Sequence, residues 1–130
     1  MTYTREQIMQ MDTEQLRVAI AEAKGIDIQY PFSGKYGPFY QDGLTGMGTP
    51  YLSKLPNWPT SIADAWELYR EMKQAGCIVV VTHELDGRGY CHVNTLQQGD
   101  KLIGVYSSDE LHAICEAYLL WLNEEQHESD

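Results

Sequence analysis

Apolar and polar positions along the chain repeat with two different periods, and these periods predict the order of helices and strands. Before residue 25, apolar side chains recur at three- and four-residue steps on one side of a helix, which either Thr4 or Asp12 can cap. A second helix with the same period begins at about Ser61, and a third begins after Ser107. The pattern therefore predicts amphipathic helices that bury one side each.

Strands are predicted between these helices. The segment 26–30 alternates apolar and polar residues, as a half-buried strand does. The run 78–81 is apolar throughout and mostly β-branched, which predicts a central strand covered on both faces. Two further antiparallel strands follow it through turns at 85–90 and 97–100. Helices that cover both faces of such a sheet predict an α/β fold, a three-layer α/β/α sandwich with a mainly antiparallel sheet.

A long connection separates the first strand from the second helix. All five prolines of the chain lie between residues 31 and 59, so regular structure there is limited to short edge strands around 39–44. Long connections in small domains are usually functional or disordered, and the aromatic content of this one argues against disorder. We interpret 31–59 as a loop insertion in a single domain at 1–123, which an acidic flexible tail at 124–130 follows.

Composition adds a strong negative charge. Nine Lys and Arg against nineteen Asp and Glu give a net charge of −10, which repels a phosphate backbone and argues against direct nucleic-acid binding. No apolar run is long enough for a membrane span, and three cysteines cannot all pair within one chain. Because Cys77, Cys91 and Cys115 all lie at apolar positions, we expect inert buried thiols in a cytoplasmic protein.

Two segments resemble a known family. WPTSIADAWELYREMKQAGCIVVVTH (58–83) and SSDELHAICEAYLLWL (107–122) are similar to the helix-and-strand signature and the closing helix of the phage ABA sandwich domain family. In that pattern Ile62, Ala65 and Trp66 are core-face residues. The resemblance implies α/β/α layering, an origin in a phage or prophage, and the cytoplasm of a host cell. It implies no catalytic residues, since the family has no settled activity.

The binding site that the sequence predicts lies in the long connection. Its aromatic residues either pack onto the sheet edge or stay exposed as rigid anchors, because Tyr and Gly in one loop give contact area at low entropic cost. Two lysines supply positive charge for an anionic ligand, and the glycine-rich segment 43–48 lacks the flanking strand and helix of a phosphate loop. The predicted ligand or partner contacts are Tyr36, Phe39, Tyr40, Tyr51, Lys35 and Lys54.

A metal-dependent enzyme is one alternative. His83 and His92 would be cross-strand neighbours on one sheet face if the loop after Leu85 is four residues long, with Glu84 and Asp86 close by. The spacing H-E-L-D is not the H-E-x-x-H of a zinc-binding helix, so we expect neither a metal nor another cofactor.

The carboxyl-terminal helix offers another alternative, because the chain has no Lys or Arg after Lys101. Carboxylates at Glu116, Glu124 and Glu125 would mimic the charge of nucleic acid and so occupy a nucleic-acid-binding site on a host protein. The function that the sequence favours is a non-enzymatic phage or prophage accessory protein, which sequesters a host protein or a small anionic ligand to counter host defence. The sequence is compatible with a homo-oligomer and indicates no membrane partner.

Overall fold

The computed structural model of the protein describes residues 3–95 and 101–128. The helices in these ranges are α1 (Arg5–Met9), α2 (Thr13–Ala23), α3 (Ile62–Gln74) and α4 (Glu110–Glu128). The strands are β1 (Ile28–Gln29), β2 (Phe39–Leu44), β3 (Pro50–Lys54), β4 (Ile78–His83), β5 (Gly89–Thr95) and β6 (Lys101–Ser107). The order agrees with the sequence prediction except in two places: the first helix is two helices, and the segment predicted as a loop insertion contains β3 as well as β2. The strand predicted at 39–44 is present, but it is the central strand of its sheet and not an edge strand. The predicted turn at 97–100 lies outside the described residues.

Two consecutive capping boxes explain why the first helix is split. The Thr4 side chain accepts a hydrogen bond from the Gln7 N–H, and the Gln7 side chain accepts one from the Thr4 N–H. Asp12 and Gln15 form the same reciprocal pair at the start of α2. The sequence left open which site begins the helix. The structure uses both, because each box satisfies N–H groups that have no acceptor within their own helix.

The strands form two separate antiparallel sheets. The small sheet has the order β1-β2-β3, and the larger sheet has the order β4-β5-β6, in which β5 is central. The prediction that segment 78–81 is a central strand covered on both faces is therefore wrong. β4 is an edge strand, and Ile78 and Val80 are exposed on one of its faces. β-branched residues suit any pleated strand, so the apolar run indicated a strand without fixing its place in the sheet.

Helix α4 is the centre of the core. Its residues 113–121 are all buried, and the helix packs against the three strands of the larger sheet and against α1, α2 and α3. On the opposite face of that sheet, Leu102 and Tyr106 are exposed together with Ile78. The chain has the predicted mixed α/β class, and the finer three-layer arrangement stays a prediction. α4 extends to Glu128, and the side chains of the predicted tail at 124–130 lie outside the described residues.

Helix α3 buries a different stripe from the one expected. Its buried residues are Ala65, Leu68 and Met72. Ile62 and Trp66 are exposed, and the Trp66 ring stacks on Tyr69 with 4.3 Å between ring centroids. The prediction that Ile62 and Trp66 belong to the core is wrong, whereas that for Ala65 is confirmed. Two apolar stripes on adjacent sides of one helix have the same period, so periodicity alone does not decide which one is buried.

A glycine lets β5 begin in contact with α4. A Cβ built on Gly89 would lie 2.3 Å from backbone atoms of both Asp109 and Glu110. Backbone atoms at that distance cannot move aside as a flexible side chain can. Gly89 is therefore required for the close approach that places the start of α4 against the sheet.

We predict that Gly89→Ala destabilises the protein by about 1 to 3 kcal/mol, the usual range for an overpacked site. The matched control is Gly46→Ala, because a Cβ at Gly46 would meet no atom within 4 Å. Urea unfolding of both variants measures the difference. Equal stability of the two variants would contradict the close approach.

We also predict that two tryptophans respond differently to truncation. Trp58 is 1% exposed, whereas Trp66 is 46% exposed. Trp58→Ala should lower the free energy of unfolding by about 3 to 5 kcal/mol, the range for a buried aromatic residue. Trp66→Ala should lower it by about 1 kcal/mol, the contribution of an exposed aromatic pair. If both variants lose the same amount in urea unfolding, Trp66 belongs to the core after all.

Candidate functional site

The small sheet divides the predicted contact residues between its two faces. Phe39 is paired with Lys54, and Tyr40 is paired with Ser53. Successive residues of a strand point to opposite faces, so Phe39 and Lys54 share one face while Tyr40 and Tyr51 share the other. These residues belong to one element but do not converge on one site.

The tyrosines of this region differ in burial. Tyr40 is partly buried and packs against the hydrophobic core, and burial followed by the nearby Asp42 carboxylate raises the pKa of its hydroxyl. Tyr36 and Tyr51 are exposed, and the Lys35 ammonium lies 5.5 Å from the centroid of the Tyr36 ring. Both interpretations of the connection therefore apply in part: Tyr40 covers the core, and the other two rings face solvent.

Beyond Tyr40, the hairpin of β2 and β3 projects from the core. Every residue from 41 to 51 is exposed, and we call this segment the hairpin arm. Its tip is ordered by its own hydrogen bonds: the Thr45 N–H donates to the Thr49 carbonyl over 2.8 Å, and the Thr49 N–H donates to Thr45 Oγ1 over 3.1 Å. The arm is therefore an ordered hairpin rather than an irregular loop.

Two large apolar residues of the hairpin arm were missed by sequence reasoning. Leu44 is exposed, and Met47 at the tip is 95% exposed. The signal that could have found them is the segment GLTGMGTP, in which turn-forming residues surround both side chains and leave no period to direct them inward.

The two histidines considered for a metal site are not neighbours. His83 is paired with Gly89, and His92 is paired with Val80. The expected pairing is wrong because the turn at 84–88 shifts the register by an odd number of residues, which places the two rings on opposite faces. His83 Nδ1 instead contacts a carboxylate oxygen of Glu110. In the described ranges, no group of three His, Cys, Asp or Glu side chains could hold a metal ion.

Glu116 is buried, so its predicted place in an exposed acidic surface is wrong. Its exposed fraction is 3%, because α4 is covered on all sides. Ser107 Oγ donates to Glu116 Oε1 over 2.9 Å, while Oε2 has no hydrogen-bond partner among the described residues. Burial raises the pKa of Glu116 to about 7; the Ser107 hydrogen bond opposes this shift, and the Asp109 carboxylate adds to it. The side chains of Glu124 and Glu125 lie outside the described residues.

Glu116 lines a surface cavity of about 390 Å³ that no sequence motif indicated. The cavity lies where α1, the start of α2, the end of β6 and the start of α4 meet. Its lining residues are Met9, Met11, Asp12, Thr13, Tyr106, Ser107, Ser108, His112 and Glu116. A buried carboxyl with a shifted pKa in a cavity is a common property of functional sites, although purely structural networks produce it as well.

The cysteines are confirmed as buried. Burial raises the pKa of Cys91 to about 12 and that of Cys115 well above its usual value. Thiols of this kind stay protonated at neutral pH, so neither residue is an activated nucleophile.

No family model, curated protein or solved structure matches the chain. The resemblance to the phage ABA sandwich domain family therefore stays a prediction from the two quoted segments. Within residues 3–95 and 101–128, no helix has both the length and the apolar character needed to cross a bilayer.

We predict that Glu116 makes the protein less stable as the pH rises. Its pKa is about 7 in the folded protein against a usual value of 4.5, so the folded state binds the proton more tightly than the unfolded state does. The free energy of unfolding should then fall between about pH 4.5 and pH 7, by roughly 3 kcal/mol in all.

The variant Glu116→Gln removes this titration. Relative to the parent, its free energy of unfolding should rise by up to about 3 kcal/mol between pH 5 and pH 8 in urea titrations. Glu6→Gln, at an exposed position of α1, is the control and should follow the parent at every pH. Parallel curves for Glu116→Gln and the parent would show that this carboxyl titrates normally.

Proposed function

We propose that this protein acts by binding a partner protein through the hairpin arm. The observation that supports the proposal is the unbroken exposure of residues 41–51, which carry the large apolar side chains of Leu44, Met47 and Tyr51. Met47 is almost fully exposed and the other two are more than half exposed, so these side chains contribute little to the stability of their own fold. Clustered exposed apolar residues are typical of surfaces that contact another molecule.

The arm offers two modes of contact. Tyr51 is a rigid ring with one polar end, and Met47 is flexible enough to fit an irregular surface, so the two suit an anchor and an adaptable contact. β3 is also an edge strand of the small sheet, and an edge strand presents backbone groups that a partner strand can pair with. We propose aromatic anchoring with strand pairing as the binding mode.

A protein partner suits this surface better than a small anionic ligand, the alternative that the sequence left open. The nearby charges do not converge: Lys54 lies on the face opposite Tyr51, and Lys35 lies over the Tyr36 ring. Asp42 adds a negative charge within the arm itself. An extended contact with a protein requires no single cluster of positive charge, whereas capture of a small anion does.

The resemblance to the phage family extends the proposal to a biological role. On that basis we propose an accessory protein of a phage or prophage, which binds a host protein in the host cytoplasm and so counters host defence. The α/β/α layering that the family implies would need a further layer over the open face of the larger sheet. A second copy of the chain or the partner itself would supply that layer.

The test is a triple variant of the arm, Leu44→Ser with Met47→Ser and Tyr51→Ser. The partner is first captured from bacterial lysate with the parent protein and identified by mass spectrometry. In calorimetric titration with the purified partner, the triple variant should lose at least about 2 kcal/mol of binding free energy. Its free energy of unfolding should change by no more than about 1 kcal/mol, since exposed side chains contribute little to stability.

The matched control is Trp66→Ala, which removes an exposed aromatic ring outside the arm and should bind as the parent does. Tyr40 is unsuitable for this comparison because it packs against the core. If the triple variant binds the partner as tightly as the parent, the arm is not the contact surface.

A further inference from the structure

We propose that the cavity beside Glu116 is a site of ester hydrolysis, in which Thr13 is the nucleophile, His112 is the general base and Asp109 positions the imidazole. The substrate class is a small carboxylic ester that is neutral or positively charged. This activity would exist beside the binding function of the hairpin arm, and it depends on none of the observations made there.

The three side chains form a chain of hydrogen bonds. Thr13 Oγ1 lies 3.2 Å from His112 Nε2, and His112 Nδ1 lies 3.2 Å from Asp109 Oδ1. An ionised carboxylate only accepts hydrogen bonds, so the imidazole proton belongs on Nδ1 and Nε2 is left to accept the hydroxyl proton of Thr13. A hydroxyl, a base and a carboxylate in this order are the arrangement of an activated nucleophile.

Helices hold each of the three hydrogen-bonded side chains in place. Thr13 is the first residue of α2, directly after the capping residue Asp12. Asp109 precedes α4, and its Oδ1 also accepts the backbone N–H of His112 over 2.9 Å, which fixes the carboxylate. The His112 side chain is 15% exposed and therefore has little freedom to leave this position. Functional groups on rigid elements keep the geometry that a reaction requires.

Thr13 and His112 both line the cavity of about 390 Å³. Met9, Met11 and Tyr106 contribute its apolar lining, which suits a short acyl chain. Arg5, the first residue of α1, donates from Nη2 to the Gly104 carbonyl of β6 over 2.9 Å and so ties α1 to β6. The cavity therefore provides space for a substrate next to the proposed nucleophile.

Donors for a developing oxyanion are present at the start of α2. The first N–H groups of a helix have no acceptor within that helix. The Asp12 carboxylate accepts the Gln15 N–H, while the N–H group of Thr13, which lines the cavity, has no acceptor among the described residues. Such groups, together with the partial positive charge of the helix start, stabilise negative charge that forms beside them.

Glu116 and its neighbours decide which substrates fit. Its buried Oε2 has no partner among the described residues, and with a pKa of about 7 the carboxyl retains its proton in part at neutral pH and can then donate a hydrogen bond. Asp12 lines the same cavity, and Asp109 lies behind His112. This concentration of carboxyl groups repels anionic substrates, so the proposed ester is neutral or cationic.

The reaction has two balanced steps. Thr13 Oγ1 attacks the carbonyl carbon while its proton moves to His112 Nε2; the ester C–O bond then breaks, and the alcohol leaves with that proton. Water next attacks the acyl-threonine as His112 accepts a proton from it, the acid leaves, and the proton returns to Thr13. One ester and one water thus give one carboxylic acid and one alcohol, with no other reactant.

The experiment uses the full chain with p-nitrophenyl acetate as the probe. We expect p-nitrophenol release above the buffer rate and a single acetyl group on Thr13 in peptide mass mapping. Thr13→Ala and His112→Ala should each lower the rate by about 100-fold or more, the usual contribution of such a base. Thr13→Ser retains the hydroxyl and should retain activity, and Thr82→Ala, at an exposed threonine of β4, should hydrolyse as the parent does.

Asp109→Asn tests the positioning role. The asparagine side chain can still accept the His112 backbone N–H, but it no longer fixes the imidazole tautomer, so kcat should fall by about 100-fold or more with KM unchanged. If Asp109 had a purely structural role, the variant would change the thermal unfolding of the protein but would not lower kcat while leaving KM unchanged. Acetylation confined to lysines, or a His112→Ala variant that hydrolyses at the parent rate, would overturn the proposal.

Discussion

The burial of α4 on every side is the constraint on which the rest of the structure depends. A helix in that position can carry polar groups only where neighbouring elements supply partners. The Tyr118 hydroxyl donates to both carboxylate oxygens of Glu71 in α3 over 3.0 Å, and Lys24 Nζ, just after α2, lies 2.8 Å from the same carboxylate. These contacts link three helices through one carboxylate. Glu116 of α4 lies outside this network and accepts a hydrogen bond from Ser107 instead.

The two proposed sites differ in their relation to that core. The hairpin arm lies outside it, so its side chains can change with little effect on folding and its contact surface is free to diversify. The cavity of Thr13 and His112 lies where four elements meet, and its geometry depends on how α1, α2 and β6 pack around the start of α4. Binding and chemistry in this chain would thus be under different structural constraints.

Local signals in the sequence predicted local structure well. The capping pairs at Thr4 and Asp12, the strand at 39–44 and the helical periods are all present, because each depends on residues close together in the chain. The failures concern relations between elements: which stripe of α3 is buried, and the register that separates His83 from His92. The contact of Thr13 with His112 spans 99 residues, and no periodicity or motif encodes such a distance.

The break between α1 and α2 has a consequence for how such a site could arise. In one uninterrupted helix the Thr13 N–H would donate to the carbonyl of Met9, and Thr13 would be an ordinary residue of a helix interior. The second capping box turns this position into a helix start, which frees its N–H and directs it towards solvent and neighbouring groups. Loss of the Asp12 side chain would remove this cap and so weaken the helix start at Thr13, which makes the position of the threonine dependent on its neighbour in the sequence.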